Sequence, residues 1–528
     1  MADNVIQLKA GQNIPLSGEV LRFSAKAGAA LDVSALVVAE NLRVSDASDF
    51  VFYNQPSTGG VALTGDEVTI TLAEVRADAK AVLLVVSADA AASSGGGLGP
   101  VTASLSENGT ITAEFAIAPA AGEAALICLE VYRRGAEWKV RAVGQGYAGG
   151  LPVLLPAHGV EVSGGPDAAA HAPHQAGDRA AIAGPQQAQH PTDAPVLEVS
   201  HGLERLWMIF EDAARSAAAL ISARDYAAKR LDEELSAAVS DPATRNTPAA
   251  DAKRREAQRR SDELAAVAEG NHRRDSEHLM HELAEADRLL PPALASWSSL
   301  AWEGNAKPSD GIRLGELYAI ERGPLRIPYC VPVPLTRPLW IDTERSAAVV
   351  PVVGALLARL LVADPGRRTR IDAIDLTGAF TGLLAPLGPV LNGPPITDHG
   401  DISPRLQALV DAAELAEMAY TSGAFTPPTE HRVLLAADFP HGYQASDAQR
   451  ISALTLRGDL IGLSIVIVGS DESESPDGTV AALSQACRHL PTVEDTPLFD
   501  PWTGSAWQLE LDLLPQDPQR VAKLLRSE

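Results

Sequence analysis

The sequence predicts a multidomain fold: an N-terminal all-β sandwich, a central α-helical hairpin or coiled coil, and a C-terminal α/β domain with a mostly parallel sheet. Three patterns carry that prediction. Short apolar runs broken by Gly, Asp, Asn or Ser fill the first third of the chain. A long stretch of helix formers, with apolar residues at 3.6-type spacing, follows. Uniformly apolar runs that alternate with helical ones occupy the rest, as in a parallel sheet covered on both faces. At 528 residues the chain exceeds what one hydrophobic core usually serves. The boundaries fall at 1–163, 164–195, 196–290 and 291–528.

In the first segment "SALVVAEN", "DFVFYNQ", "EVTITLAEV", "AVLLVVSAD", "GTITAEFAI", "ALICLEVYRR" and "WKVRAVGQG" read as strands. Several alternate apolar with polar residues, and many short strands between turns predict two packed sheets. Residues 164–195 are rich in Ala, Gly, Pro, Gln and His, with little to bury, and read as a linker. Residues 196–290 hold two helical runs around the turn "SDPATRNTPAAD", with Gly270 and Asn271 expected to interrupt the second. Beyond 291, "PLWIDTE", "TRIDAIDLT", "HRVLLAADFP" and "GLSIVIVGSD" read as strands between helices, and "AWQLELDLLP" as a terminal edge strand.

Composition narrows the function classes. A formal charge of -25 argues against nucleic-acid binding by the whole surface. Cys128, Cys330 and Cys487 are far apart in apolar settings, which fits a reduced cytosolic protein without a disulfide frame. The N-terminus shows no signal-peptide pattern, and no stretch of about 18 uncharged apolar residues predicts a membrane span.

One string stands out. "EVYRRGAEWKVRAVGQGYAGGL", Glu130 to Leu151, alternates Tyr132, Trp138 and Val140 with Arg133, Lys139 and Arg141, so one face can be buried and the other charged. It reads either as a scaffold hairpin with a closing turn or as a basic, aromatic-flanked contact surface. With "DFVFYNQP" at Asp49–Pro56 and "LKAGQNIPL" at Leu8–Leu16, it resembles the TerD family of bacterial tellurium-resistance and general stress proteins. The three motifs occur in family order over about 150 residues. The resemblance implies a β-sandwich that binds calcium through acidic loops.

Calcium takes six to eight oxygens, largely carboxylate and carbonyl. Here the family's Gly-Trp-Asp region reads "KAGAA", Ala30 stands where the first Asp of the Asp-x-Asp would be, and the acidic loop is shortened to "LTGDEVTI". What the resemblance leaves is Asp32, Asn54, Asp66 and Glu67, a weak or vestigial calcium site. The same residues read equally as turn formers and caps. Asp46 and Asp49 are the nearest acids able to complete it.

"HRVLLAADFP" has the form of a Walker-B strand with Asp438 at its end, and "RGDLIGLSIVIVGSD" that of the following sensor strand. Their order resembles motor ATPases of the FtsK/HerA type, which implies an acid on magnesium. The phosphate loop is missing. "WIDTERSAAVVPVVG" puts Thr343, Glu344 and Arg345 where a Gly-rich turn and Lys belong. Asp438 is then either a vestigial Walker-B acid or a strand-end turn former, in a domain resembling a P-loop ATPase without Walker A.

His278 and His281 share a helical face near Glu282 but fall short of a metal's ligand count. Lys253 to Arg260, "KRREAQRR", reads as a solvated, salt-bridged helix face or as a local contact for an acidic partner. The expectation is a cytoplasmic, non-enzymatic stress-response protein acting as an interaction scaffold, without a certain cofactor. Its partners would be other stress proteins, and the helical arm would allow self-association. The competing expectation is a nucleotide-dependent switch or FtsK-like motor component.

Overall fold

The computed structural model describes residues 5–88, 97–120, 122–134, 137–160, 202–240, 246–304, 307–319, 323–363, 368–470, 478–493, 497–499 and 506–525. The predicted linker 164–195 lies outside the described residues. Contacts divide the chain into two units. One combines Met1–Val199 with Glu211–His278; the other combines Ser200–Phe210, Leu279–Phe499 and Ala506–Glu528.

The first unit is the predicted sandwich. Its strands are β1 (Ile6–Leu8), β2 (Asn13–Pro15), β3 (Val20–Ala27), β4 (Leu31–Val38), β5 (Phe50–Val51), β6 (Ser57–Thr58), β7 (Val61–Thr64), β8 (Glu67–Thr71), β9 (Ala81–Ala88), β10 (Val101–Glu107), β11 (Thr110–Ile117), β12 (Glu123–Arg134) and β13 (Glu137–Ala148). One sheet has the order β1-β11-β10-β3-β8-β7-β6, the other β2-β13-β12-β9-β4-β5. Between them lie Phe23, Val37, Val68, Leu84, Leu105 and Val131, all but fully buried.

The second sheet is covered on its outer face too. Leu36, Leu83 and Ile127 pack there against helix α1 (Leu151–Ala157) and against Leu220, Ala223 and Ala268 of two long helices, α2 (Leu203–Val239) and α3 (Pro248–Asp287). Burial on both faces explains why β4 and β9 are apolar runs without alternation. Helix α3 runs unbroken through Gly270 and Asn271, contrary to the expected interruption. A single Gly in a helix costs about 1 kcal/mol, and packing of the flanking Ala268 and His272 offsets it. "DFVFYNQ" also differs from expectation. Asp46 and Asp49 form a capping box on a short 3-10 turn, leaving two residues, Phe50–Val51, in the strand.

The second unit holds β14 (Gly311–Tyr318), β15 (Ile327–Pro332), β16 (Leu339–Asp342), α4 (Val350–Ala363), β17 (Arg368–Ile374), α5 (Thr381–Leu384), α6 (Ile402–Thr421), β18 (Glu430–Phe439), α7 (Ala445–Arg457), β19 (Leu463–Gly469), α8 (Thr479–Ala486), β20 (Arg488–Leu490), β21 (Pro497–Phe499), β22 (Ala506–Leu511) and α9 (Pro518–Leu524). The predicted parallel sheet is β17-β18-β19-β16-β20. A second sheet has the order β15-β14-β22-β21. β22, expected at an edge, is therefore internal, because both β14 and β21 bond to it.

Among the described residues one helical window, Ser346–Ala363, has the length and composition to cross a membrane, and 67% of it is buried. Its Arg359 is fully buried. It donates to the carbonyls of Ala293 and Ala295 at 2.9 Å, pairs with Asp512 and stacks on Trp297. This segment serves as the unit's core helix.

Candidate functional site

In the parallel sheet, α4 covers one face with Leu339, Ile341, Val433 and Val466. The residues of α6, α7 and α8 cover the other, against Trp340, Leu434 and Ile467. The connection leaving β16 thus runs over the opposite face from the one leaving its neighbour β19. Open α/β sheets place ligands at such a switch point, beyond the carboxyl ends of the strands.

Asp438 stands there, with φ of 61°. Its carboxylate accepts the Ser346 hydroxyl at 2.6 Å, the Thr377 amide at 3.0 Å and the Thr377 hydroxyl at 3.0 Å. Neutral donors therefore occupy both oxygens and tie together the ends of β16, β17 and β18. Neighbouring Asp375 is buried and accepts the Phe380 amide at 2.9 Å, and burial, with Asp438 nearby, raises its carboxyl above the ordinary value. The turn after β16 spends two of its amides internally. Thr343 N donates to Gly469 O at 3.0 Å and Arg345 N to the Thr343 hydroxyl at 3.2 Å. Glu344 is exposed beside it. Gly469 is required here, since a Cβ would sit 1.7 Å from Phe439 O.

A neighbouring trio escaped the sequence reading. Ser484 Oγ lies 3.0 Å from His489 Nε2, and His489 Nδ1 lies 2.8 Å from Asp342. The connectivity is that of a hydrolase triad, but the geometry is not. Nε2 also faces the Ser484 carbonyl at 3.1 Å, so the hydroxyl and the carbonyl of the same residue share that nitrogen. Ser484 is moreover buried. The trio closes β20 onto β16. No spacing in the sequence links residues so far apart.

On the sandwich, register places Asp32 on β4 opposite Ser87, Asp66 in the β7–β8 turn and Asn54 in the turn after β5. Glu67 pairs with Arg22 at 3.4 Å. Asp49 is buried, pairs with Arg76 and accepts the Ser45 amide at 2.8 Å, while Asp46 caps Ser48. Asp46, Asp49, Asp66 and Glu67 are thus engaged in turns and ion pairs. Among the described residues no group of three His, Cys, Asp or Glu could hold a metal ion.

The Glu130–Leu151 strip corrects another expectation. Arg141, assigned to a charged outer face, is 1% exposed. Its cross-strand partner is Glu130, itself 3% exposed, and the two pair at 3.0 Å. Arg141 also pairs with Glu211 at 3.4 Å and Asp212 at 3.1 Å of α2, and Arg215 reaches Glu130 at 3.2 Å and Asp212 at 2.7 Å. The strip is therefore a docking surface filled by the chain's own helix. The two guanidiniums hold Glu130 below the ordinary carboxylate value against the cost of burial, whereas burial pushes Glu211 up to about 7. Lower along the seam, Arg274 pairs with buried Glu123 at 3.0 Å, and Ser216 donates to Asp275 at 2.9 Å. A sequence signal for this network was Glu130, a charge inside the apolar run of β12.

The remaining candidates lie on the helix surface. His281 faces Glu285 at 3.3 Å and is 75% exposed; His278 is exposed as well. In the basic run, Arg259 pairs with Glu256 and Glu263, and Arg260 with Glu234.

Comparison with known proteins completes the picture. Residues 5–158 match the model of the TerD domain. The tellurium resistance protein TerD of Serratia marcescens is 35% identical over 152 residues, covering 25% of this chain and 79% of that protein. General stress protein 16U of Bacillus subtilis is 27% identical over 156 residues, covering 25% and 78%. Among solved structures, EssC (ATPases 2 and 3) from Geobacillus thermodenitrificans aligns with a TM-score of 0.33 and 12% identity, over 45% of this chain and 50% of that one.

Proposed function

Because the chain belongs to the TerD family through its residues 5–158, we propose that it is a non-enzymatic stress-response protein of the tellurium-resistance type, acting as an interaction scaffold. One observation carries the reading: the charged groups best placed for chemistry are already used to join elements. Asp438 is saturated by Ser346 and Thr377, and Arg141 and Glu130 by each other and by α2. A site committed to its own chain offers surfaces rather than reacting groups. The partners proposed are other stress proteins in the cytoplasm, with self-association through the helical arm. Calcium enters this reading only as a weakly held ion, and nucleic acid is not an expected partner.

A second reading, a nucleotide-dependent switch, is favoured by the position of Asp438 at the strand ends, bonded to Ser346 of the turn after β16. Calorimetric titration of the full chain with magnesium and ATP separates the two. No binding below millimolar concentration is expected. Micromolar, magnesium-dependent binding would replace the scaffold with the switch.

A further inference from the structure

Among the described residues, the ion pairs beneath α2 bring three carboxylates to two guanidiniums, with Lys80 a further positive charge acting on Glu130. Arg141 and Arg215 supply two positive charges, while Glu130, Glu211 and Asp212 supply three negative ones, all within 3.4 Å of a guanidinium. Both arginines are nearly inaccessible, as is Glu130, and the side chains of Glu211 and Asp212 are 26% and 24% exposed. An unbalanced charge in a poorly solvated cluster is expensive unless a proton neutralises it. We propose that this cluster is a proton-operated latch: uptake of one proton at Glu211, the carboxylate in excess, tightens helix α2 on the β12–β13 strip, and its loss loosens the helix.

The groups facing Glu211 come from several elements. Glu130 lies on β12, Arg141 on β13, and Asp212 and Arg215 on α2, while Tyr132 of β12 acts on Arg141 and Lys80, before β9, acts on Glu130. Asp212 and Glu130 oppose ionisation of Glu211 and the two arginines favour it, but desolvation outweighs them and holds the group at about 7. Beside Arg215, His158 is the competing switch, and it is excluded. Its Nδ1 donates to Leu42 O at 2.7 Å, its Nε2 accepts from the Tyr147 hydroxyl at 3.1 Å, and burial drives it down to about 4, so it stays neutral above that. Tyr147 is pushed upward by burial and does not titrate in the window either. The sign follows from linkage. An acid raised in the folded state contributes stability that is complete below its ordinary value of 4.5 and lost as pH rises through about 7.

Hydrogen exchange of the α2 amides in the full chain, corrected for intrinsic rate, tests the latch. Wild type should show greater protection at pH 6 than at pH 8, up to about tenfold for a group that titrates near 7 and less to the extent that Glu211 is solvated. Glu211→Gln should hold the pH 6 protection at pH 8. Asp212→Asn restores two carboxylates to two guanidiniums, so it should flatten the profile even if it lowers overall protection. Equal wild-type protection at both pH values would overturn the proposal, and so would variants that retain the wild-type pH dependence.

Discussion

The β12–β13 strip and the edge of the parallel sheet both gather charged side chains where a chain could do chemistry, and they satisfy them differently. On the strip, buried carboxylates meet buried guanidiniums: Glu130 with Arg141 and Arg215. At the sheet edge, Asp438 meets two hydroxyls and an amide. A charge held by charges depends on its partners' presence, because either one alone is stranded in a poor solvent. A charge held by neutral donors near water can be replaced by a neutral isostere. The strip is therefore a joint in which Glu130 and the two arginines must stay paired, and the strand ends at Asp438 form a clamp that needs only hydrogen-bond geometry.

The largest test of this contrast is Arg215→Ala. It leaves Glu130 short of a partner in a buried site and should cost about 3–5 kcal/mol by chemical denaturation. Glu130→Gln should cost less, since Asp212 still pairs with both guanidiniums. Asp438→Ala comes next. It abandons three donors at a partly buried position and should cost about 1–3 kcal/mol. Asp438→Asn, which keeps an acceptor oxygen, should fall below that range; an equal loss would show that the clamp needs the charge after all. Arg260→Ala removes an exposed pair with Glu234, and should change stability by about 0.5 kcal/mol or less. The smallest effect concerns calcium. At 1 mM ion, a site of millimolar affinity would stabilise the sandwich by about 0.4 kcal/mol, so the thermal midpoint should barely move. A clear rise would mean that Asp32, Asn54 and Asp66 assemble oxygens beyond their present positions.

Legibility differed between the regions for physical reasons. The sandwich strands, the two long helices and the alternation of β16, β17, β18 and β19 with helices were readable because periodicity and apolar content are local properties. The Phe50–Val51 strand was over-read because the Phe52–Gln55 turn ends it and the capping box of Asp46 and Asp49 takes its first residue. β22 was misplaced at an edge because pairing depends on β14 and β21, far away in sequence. Asp438 was found from its position at the end of an apolar run, but its partners Ser346 and Thr377 were not, since they lie 92 and 61 residues away.

By itself the sequence determined the three structural classes along the chain, the family of the first 158 residues and the absence of a glycine-lysine phosphate turn after β16. Each of these is written in short runs of residue types. Only the tertiary structure decided where charge ended up. Arg141 read as a solvent-facing residue because alternation along β13 is indifferent to what covers the sheet. Helix α2 covers it, so the face that periodicity marks as charged is buried, and its arginine becomes half of a joint. Burial and pairing are set by elements distant in sequence, and burial sets the energetic weight of a charge.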